Sequence, residues 1–244
     1  MNAIIFAAGL GTRLKPLTDT MPKALVPLKG KPMLEHIILR LKAAGFTHIV
    51  INIHHWGEQI VAFLERNHNF GIRIDVSDER DLLLDTGGGI KKAAAFFTDK
   101  RPFLVHNVDV LTDLDLNAFY HIHDEKKSLA TLLVASRETQ RYLLFDSALR
   151  LYGWKNEKTG EVKSPYPDFL PDLYHKYAFG GIHVLSHDIL PLMKEWEGKF
   201  SIIDFYLSIA DQKQVCAYPA PQGLVWCDIG KPEALKEAER LLEL

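Results

Sequence analysis

Only two cysteines occur in the 244 residues, Cys216 and Cys227. Two thiols exclude a disulfide framework, and without a C-x-x-C pair they seed no zinc site. Nor is positive charge in excess: 29 Lys and Arg stand against 31 Asp and Glu, a net charge of -2. So balanced a chain lacks the basic surface that nucleic-acid binding needs, although a local basic pocket is compatible with it. No apolar run reaches bilayer length; residues 3 to 8 fall far short of it. The N-terminus lacks the basic stretch and cleavage site of a secretory signal. Low-complexity tracts and repeats are missing. These absences predict a cytoplasmic protein with reduced thiols, and neither nucleic acid nor membrane as partner. Oligomeric state leaves no mark in the sequence.

What is present reads as alternating strands and helices. Residues 3 to 8 have the length of a buried strand and run straight into Gly9-Leu10-Gly11-Thr12-Arg13. Residues 14 to 31, broken by Pro16, Pro22, Pro27 and Gly30, read as loop. Pro32 suits the first turn of a helix, and Leu34, Ile37, Ile38 and Leu41 recur at helical spacing until Gly45. Residues 47 to 53 predict a strand, 57 to 66 a helix, and 72 to 76 an alternating strand. A polar loop over 78 to 89 ends in Thr86-Gly87-Gly88-Gly89, with a short helix over 90 to 97. Residues 102 to 106 predict a strand, 114 to 125 a helix and 129 to 135 a strand. Between 142 and 172, aromatics and turn signals predict hairpins. Residues 177 to 185 read as a strand interrupted by Gly180-Gly181. Ser201 opens a helix through a Ser-x-x-Asp cap. Late strands follow at 215 to 218 and 225 to 229, then an amphipathic helix over 232 to 242. The alternation predicts the α/β class, with a Rossmann-like, mixed and mostly parallel sheet flanked by helices. Residues 1 to 244 read as one domain with a small hairpin-rich lobe inserted at about 142 to 175.

Ligands of an open parallel sheet bind beyond the carboxyl ends of its strands. Four segments fall at such ends: 9 to 13, 86 to 89, 107 to 109 and 228 to 230. Small residues there let backbone N–H groups approach phosphate oxygens. Arg13, and Lys23 next to Pro22 ten residues on, add the charge a polyphosphate attracts. Asp109 and Asp228 each follow an apolar strand, and one or two carboxylates plus substrate phosphates are the usual way to hold Mg²⁺. Such a site works by positioning and cations and needs no protein nucleophile.

These same residues resemble the sugar-1-phosphate nucleotidyltransferases, over nearly the whole chain. The signature is Gly9-Leu10-Gly11-Thr12-Arg13, Pro22-Lys23, Gly30-Lys31-Pro32-Met33, a central Asp matching Asp109, and Trp226-Cys227-Asp228-Ile229-Gly230. Thr86-Gly87-Gly88-Gly89-Ile90 is most similar to the N-acetylmuramate-1-phosphate uridylyltransferases of cell-wall recycling, with the mannose-1-phosphate guanylyltransferases close. The resemblance implies a nucleoside triphosphate and a sugar 1-phosphate as substrates, with Mg²⁺ as cofactor. It implies that the backbone of Ala8, Gly9, Leu10, Gly11 and Thr12 holds the nucleotide, and that Arg13 binds its β- and γ-phosphates. Lys23 would bridge the α-phosphate and the sugar phosphate, and Asp109 and Asp228 would hold the metal. Gly87 and Gly88 would lie by base and ribose, and Gly180 and Gly181 by the sugar, which makes the hairpin-rich lobe the sugar-binding one. The β-helix acetyltransferase domain of longer relatives is not in this sequence. One position departs: the family's Gly before the central Asp is Val108 here, and Val resists both φ > 0 and close ligand approach.

Blander readings stand beside these. A lone Gly-rich turn is common, Asp109 alone suits a turn or N-cap, and Gly180-Gly181 suits a bulge. His54-His55 and His121-x-His123 lack further ligands, so surface or strand-end histidines are expected rather than zinc. Trp56, Trp154 and Trp196 read as packing residues, Trp154 also as a pocket wall. Within the enzyme reading, UTP with N-acetylmuramate 1-phosphate is preferred over GTP with mannose 1-phosphate or CTP with phosphocholine. A catalytically silent module that binds NDP-sugars is the rival from another class, and Val108 is the feature in its favour.

Overall fold

The computed structural model describes residues 1–241. Its organising element is β1 (Asn2–Phe6), whose Ala3, Ile4 and Ile5 are completely buried. A parallel strand apolar on both faces must be covered on both, and helices do that here. The chain leaves β1 through short 3-10 turns and a two-rung ladder, β2 (Pro27–Leu28) against β3 (Lys31–Pro32). α1 (Met33–Ala43) follows, with Pro32 as its N-cap rather than its first helical residue. Its Leu34, Ile37, Ile38 and Leu41 face the core as their spacing predicts. β4 (His48–Ile53), buried along its length, α2 (Gly57–Arg66) and the edge strand β5 (Arg73–Asp78) complete the first half.

α3 (Asp85–Ala94) corrects the sequence reading, because Gly87, Gly88 and Gly89 lie inside its first turns rather than in a preceding loop. Each glycine costs a helix about 1 kcal/mol relative to alanine. Tertiary packing overrides that cost. A Cβ on Gly87 would collide with the Phe200 ring, one on Gly88 with the Gly198 carbonyl, and one on Gly89 would meet Phe6 at 2.9 Å. The Gly87 amide donates to the Phe200 carbonyl at 2.9 Å. Only bare backbone lets α3 lie so close to β1 and to residues 198–200.

The second half comprises β6 (Phe103–Asn107), β7 (Val110–Thr112), α4 (Leu116–Lys126) and β8 (Ala130–Ala135). Asp115 caps α4, accepting from the Ala118 amide at 2.9 Å. β9 (Arg141–Phe145), β10 (Leu151–Asn156) and β11 (Val162–Lys163) form the expected antiparallel ribbon. β12 (His175–Leu185) is one continuous strand whose register shifts between Phe179 and His183, so Gly180-Gly181 is a bulge and not an interruption. α5 (Ile189–Leu192), α6 (Ile202–Ile209), β13 (Val215–Pro219), β14 (Trp226–Asp228) and α7 (Pro232–Leu241) close the described chain; Leu242 of the expected last helix lies outside it. Ser201 caps α6 as its motif predicts, its hydroxyl accepting from the Ile203 amide at 3.2 Å.

Ten strands join in one sheet of order β11-β10-β9-β12-β6-β1-β4-β5, with β8 and β13 branching from β12. β6, β1, β4 and β5 run parallel, while β12 is antiparallel to β6 and turns the sheet toward the ribbon. α1, α2 and α4 cover one face, α3 and α6 the other. Phe6 stands beside Asn107 in the β1–β6 register, so the loops leaving these strands emerge side by side. No described helix is long and apolar enough to cross a membrane.

Candidate active site

Asn52, near the end of β4, catches the chain as it leaves β1. Its Oδ1 accepts from the amides of Ala7 at 2.7 Å and Ala8 at 3.2 Å. The Ala8 amide is therefore committed within the protein, whereas those of Gly9, Leu10 and Gly11 have no acceptor among the described residues. Gly9, Leu10, Thr12 and Arg13 are exposed. Gly11 turns at φ 64, and a Cβ on it would lie 2.8 Å from Thr18 and 3.1 Å from the Cβ of Lys23. The Thr18 hydroxyl donates to the Gly11 carbonyl at 2.8 Å. This contact folds residues 18 to 23 back onto the loop, which is how Lys23 reaches the same cleft as the Gly-rich turn.

Lys23 is buried, and its ammonium pairs with the Asp109 carboxylate. Asp109 follows β6 and Asp228 ends β14; the Ile229 amide donates to the Asp109 carbonyl at 2.7 Å and holds the two loops together. Desolvation and the neighbouring Asp109 carboxylate raise the Asp228 pKa, while Lys23 and Arg13 pull it down. Arg13 closes the group: a Cβ on Gly230 would lie 2.5 Å from its Nη2 and 2.8 Å from Asp228 Oδ1. Arg13, Lys23, Asp109 and Asp228 thus meet at one place, as their motifs predict. Two carboxylates this close, one raising the pKa of the other, form a site for positive charge. Among the described residues no three His, Cys, Asp or Glu side chains gather as a metal cluster. Two carboxylates fit a hard cation that takes its remaining ligands from phosphate and water.

The cleft beside this group has a volume of about 370 Å³ and reaches from Ala8 and Gly9 past Val108 to Asp85 and Thr86. Glu79 lines it too, with no motif to mark it in the sequence. It is almost wholly buried, accepting from Asn52 Nδ2 at 2.9 Å and from the Leu84 amide at 3.1 Å. Nothing local marks it, since a lone Glu in a polar loop reads as solvated. Val108 is buried, donates its amide to the Phe6 carbonyl at 3.1 Å, and is not among the residues with positive φ. Valine therefore fits the backbone at this position without strain. Gly87 and Gly88 turn toward Phe200 and Gly198, while their neighbours Asp85 and Thr86 line the cleft. Gly180 and Gly181 are buried in the sheet, against Leu133 and against Asn107 respectively, and the Gly180 carbonyl accepts from Trp226 Nε1 at 2.8 Å. Trp154 lies in the wall of a second cleft, which meets the first at Asp85, Thr86 and Asn107. The histidine expectation needs one correction. His123 is buried, within 2.9 Å of the Thr131 hydroxyl, because the inner face of α4 carries it into the core.

The family described as Nucleotidyl transferase matches residues 2–243. The chain is 32% identical, over 98% of its length and 96% of the relative's, to the N-acetylmuramate alpha-1-phosphate uridylyltransferase of Caulobacter vibrioides. It is 48% identical over 49% of its length, and 52% of the relative's, to the protein of the same name from Neisseria meningitidis serogroup B. Among solved structures, a UDP-glucose pyrophosphorylase complexed with UDP-glucose shares the fold, with a TM-score of 0.79 and 19% identity over 99% of this chain and 98% of that one. The match runs from end to end, and this chain belongs to the nucleotidyl transferase family.

Proposed function

We propose that the protein transfers a nucleotidyl group from UTP to N-acetylmuramate 1-phosphate, releasing pyrophosphate, with Mg²⁺ as its metal. The observation that carries this reading is the convergence of Arg13, Lys23, Asp109 and Asp228 beside the first cleft. The unpaired amides of Gly9, Leu10 and Gly11, with Thr12 beside them, receive the triphosphate, and Arg13 pairs with its β- and γ-phosphates. Lys23 exchanges Asp109 for the α-phosphate and the sugar phosphate, two anions that repel one another until a cation lies between them. An oxygen of the sugar phosphate attacks the α-phosphorus. As that bond forms, the bond from the α-phosphorus to its bridging oxygen breaks, and pyrophosphate leaves with the electron pair, its charge met by Arg13. Asp109 and Asp228 would hold the Mg²⁺, which when bound would neutralise charge on the phosphate oxygens. Gly87 and Gly88 act at the nucleotide by bringing α3 close, so that Asp85 and Thr86 face it. Gly180 and Gly181 act at the sugar by letting β12 bend toward the ribbon.

The sugar and the base rest on the names carried by two relatives. The regulatory-module reading rests on Val108; its backbone lies outside positive φ, which leaves that reading only the valine side chain in the cleft wall. The direct test is pyrophosphate release with Mg²⁺, pairing UTP, GTP and CTP with the 1-phosphates of N-acetylmuramate, N-acetylglucosamine and mannose, and with phosphocholine. UTP with N-acetylmuramate 1-phosphate is expected to give the highest kcat/KM. A better guanylyl or cytidylyl pair would replace the substrate assignment, and silence throughout would overturn the reaction. Gly230→Ala tests the phosphate site separately. A methyl group there takes the space of the Arg13 guanidinium, so the KM for nucleotide should rise about tenfold, the worth of one displaced charged contact. An unchanged KM would mean that Arg13 works from another position.

A further inference from the structure

The second cleft contains a cation that no acid among the described residues answers. Across the ribbon, Arg141 pairs with Asn156, Leu143 with Trp154, and Trp154 with Lys163. Side chains alternate along a strand, so these five residues share one face. All five line a cleft of about 630 Å³ that opens onto the candidate active site through Asp85, Thr86 and Asn107. The ammonium of Lys163 is engaged, 2.9 Å from Asp204 and 3.7 Å from Glu161. Arg137 lies 4.3 Å over the Trp226 ring and donates to the Phe179 carbonyl at 3.1 Å. Arg141 differs from both. Its backbone amide donates to the Thr139 hydroxyl, and its guanidinium has no acid or acceptor among the described residues.

An indole face, a side-chain amide and an unpaired guanidinium together suit a sugar ring bearing an anion. The apolar face of the ring packs on Trp154, Asn156 takes a hydroxyl or amide group, and the guanidinium forks a carboxylate. A neutral hexose would offer Arg141 hydroxyl acceptors but no charge to pair with. We infer that Arg141 reads a carboxylate on the sugar of the sugar 1-phosphate, and that this contact makes the enzyme select acidic sugars over neutral ones. The inference rests on the sugar-1-phosphate reading above and adds to it the residue that sets selectivity.

The test compares kcat/KM for N-acetylmuramate 1-phosphate and N-acetylglucosamine 1-phosphate, which share a ring and differ by the lactyl carboxylate. In Arg141→Gln the preference for the acidic sugar should fall roughly 10- to 100-fold, the range of one charge-assisted contact, with the loss in KM for the sugar phosphate. Arg141→Lys should recover part of the preference, and Arg141→Glu should invert it. Arg150→Gln removes an equal charge from the exposed turn before β10, outside the cleft, and should leave the preference unchanged. Equal loss in that variant, or an Arg141→Gln preference within about twofold of wild type, overturns the assignment. A wild-type enzyme that uses both sugars without preference overturns it too, while the reaction itself stands. A wild-type enzyme that uses no sugar 1-phosphate takes down the proposed function and this assignment together. Thermal melting of each variant checks that the fold is retained.

Discussion

Asp109→Asn is expected to lower metal-dependent pyrophosphate release by on the order of 10³-fold, as loss of a preorganised charge at a reacting phosphate does. The fold should survive, because Asp109 sits at the cleft and its carbonyl, not its carboxylate, receives the Ile229 amide. The substitution acts in two ways. It removes one of the two carboxylates available to a cation, and it frees Lys23 from its partner. The second effect alone would favour anion binding, since an unpaired ammonium facing the cleft attracts phosphate. Nucleotide affinity measured without metal should therefore hold or rise while turnover collapses. Turnover within tenfold of wild type would remove Asp109 from the reaction. A collapse of nucleotide affinity would instead mean that the ion pair shapes the cleft.

Acid should unfold this protein steeply, and three buried imidazoles account for it. His106, His123 and His183 are almost wholly inaccessible. Burial lowers their pKa values to about 4, about 4 and about 3. Unfolded, each takes a proton near pH 6.5. Between those values the unfolded chain binds protons that the folded chain refuses, so the stability they contribute is full above pH 6.5 and is lost as pH falls toward 4. Each such group contributes about 1.4 kcal/mol per pH unit, and three together about 4 kcal/mol per pH unit. A domain of ordinary stability, about 5–15 kcal/mol, has little left by pH 4. Asp228 works in the opposite sense, because its raised pKa favours the fold as it is protonated at low pH, but it is a single group. Urea unfolding at pH 7, 6 and 5 reads the slope directly. His183→Gln offers the Tyr206 hydroxyl another partner, removes one site, and should reduce the slope by about a third. A flat stability from pH 7 to 5 would contradict the neutral, buried state of these rings.

The buried histidines also mark where local reading ends. His123 follows His121 by two residues, and as a pair they suggest a surface motif; only the packing of α4 sends His123 inward, to Thr131 and Ser128. The glycine run shows the same limit from the other side. Three consecutive glycines argue against a helix by propensity, yet α3 contains them because Phe200, Gly198 and Phe6 leave no room for a Cβ. A contact across more than a hundred residues decides what a window of ten cannot.

What the sequence determined by itself is local in origin. The apolar run of β1, the 3.6-residue spacing of α1 and α2, the Ser201 cap and the turn-rich ribbon all follow from neighbours within a few positions, where steric and hydrogen-bonding preferences act directly. The motifs naming Arg13, Lys23, Asp109 and Asp228 were legible in the same way, as residue types placed after predicted strands. Their meeting was not. It needed the β1–β6 register that sets Phe6 beside Asn107, the Thr18–Gly11 contact that returns Lys23, and the β7–β14 pairing that brings Asp228 back across more than a hundred residues. Glu79 and Arg141 had no motif at all. Burial singles out one, and a missing counter-charge the other, and both are properties of the space around a side chain, which only the folded chain defines.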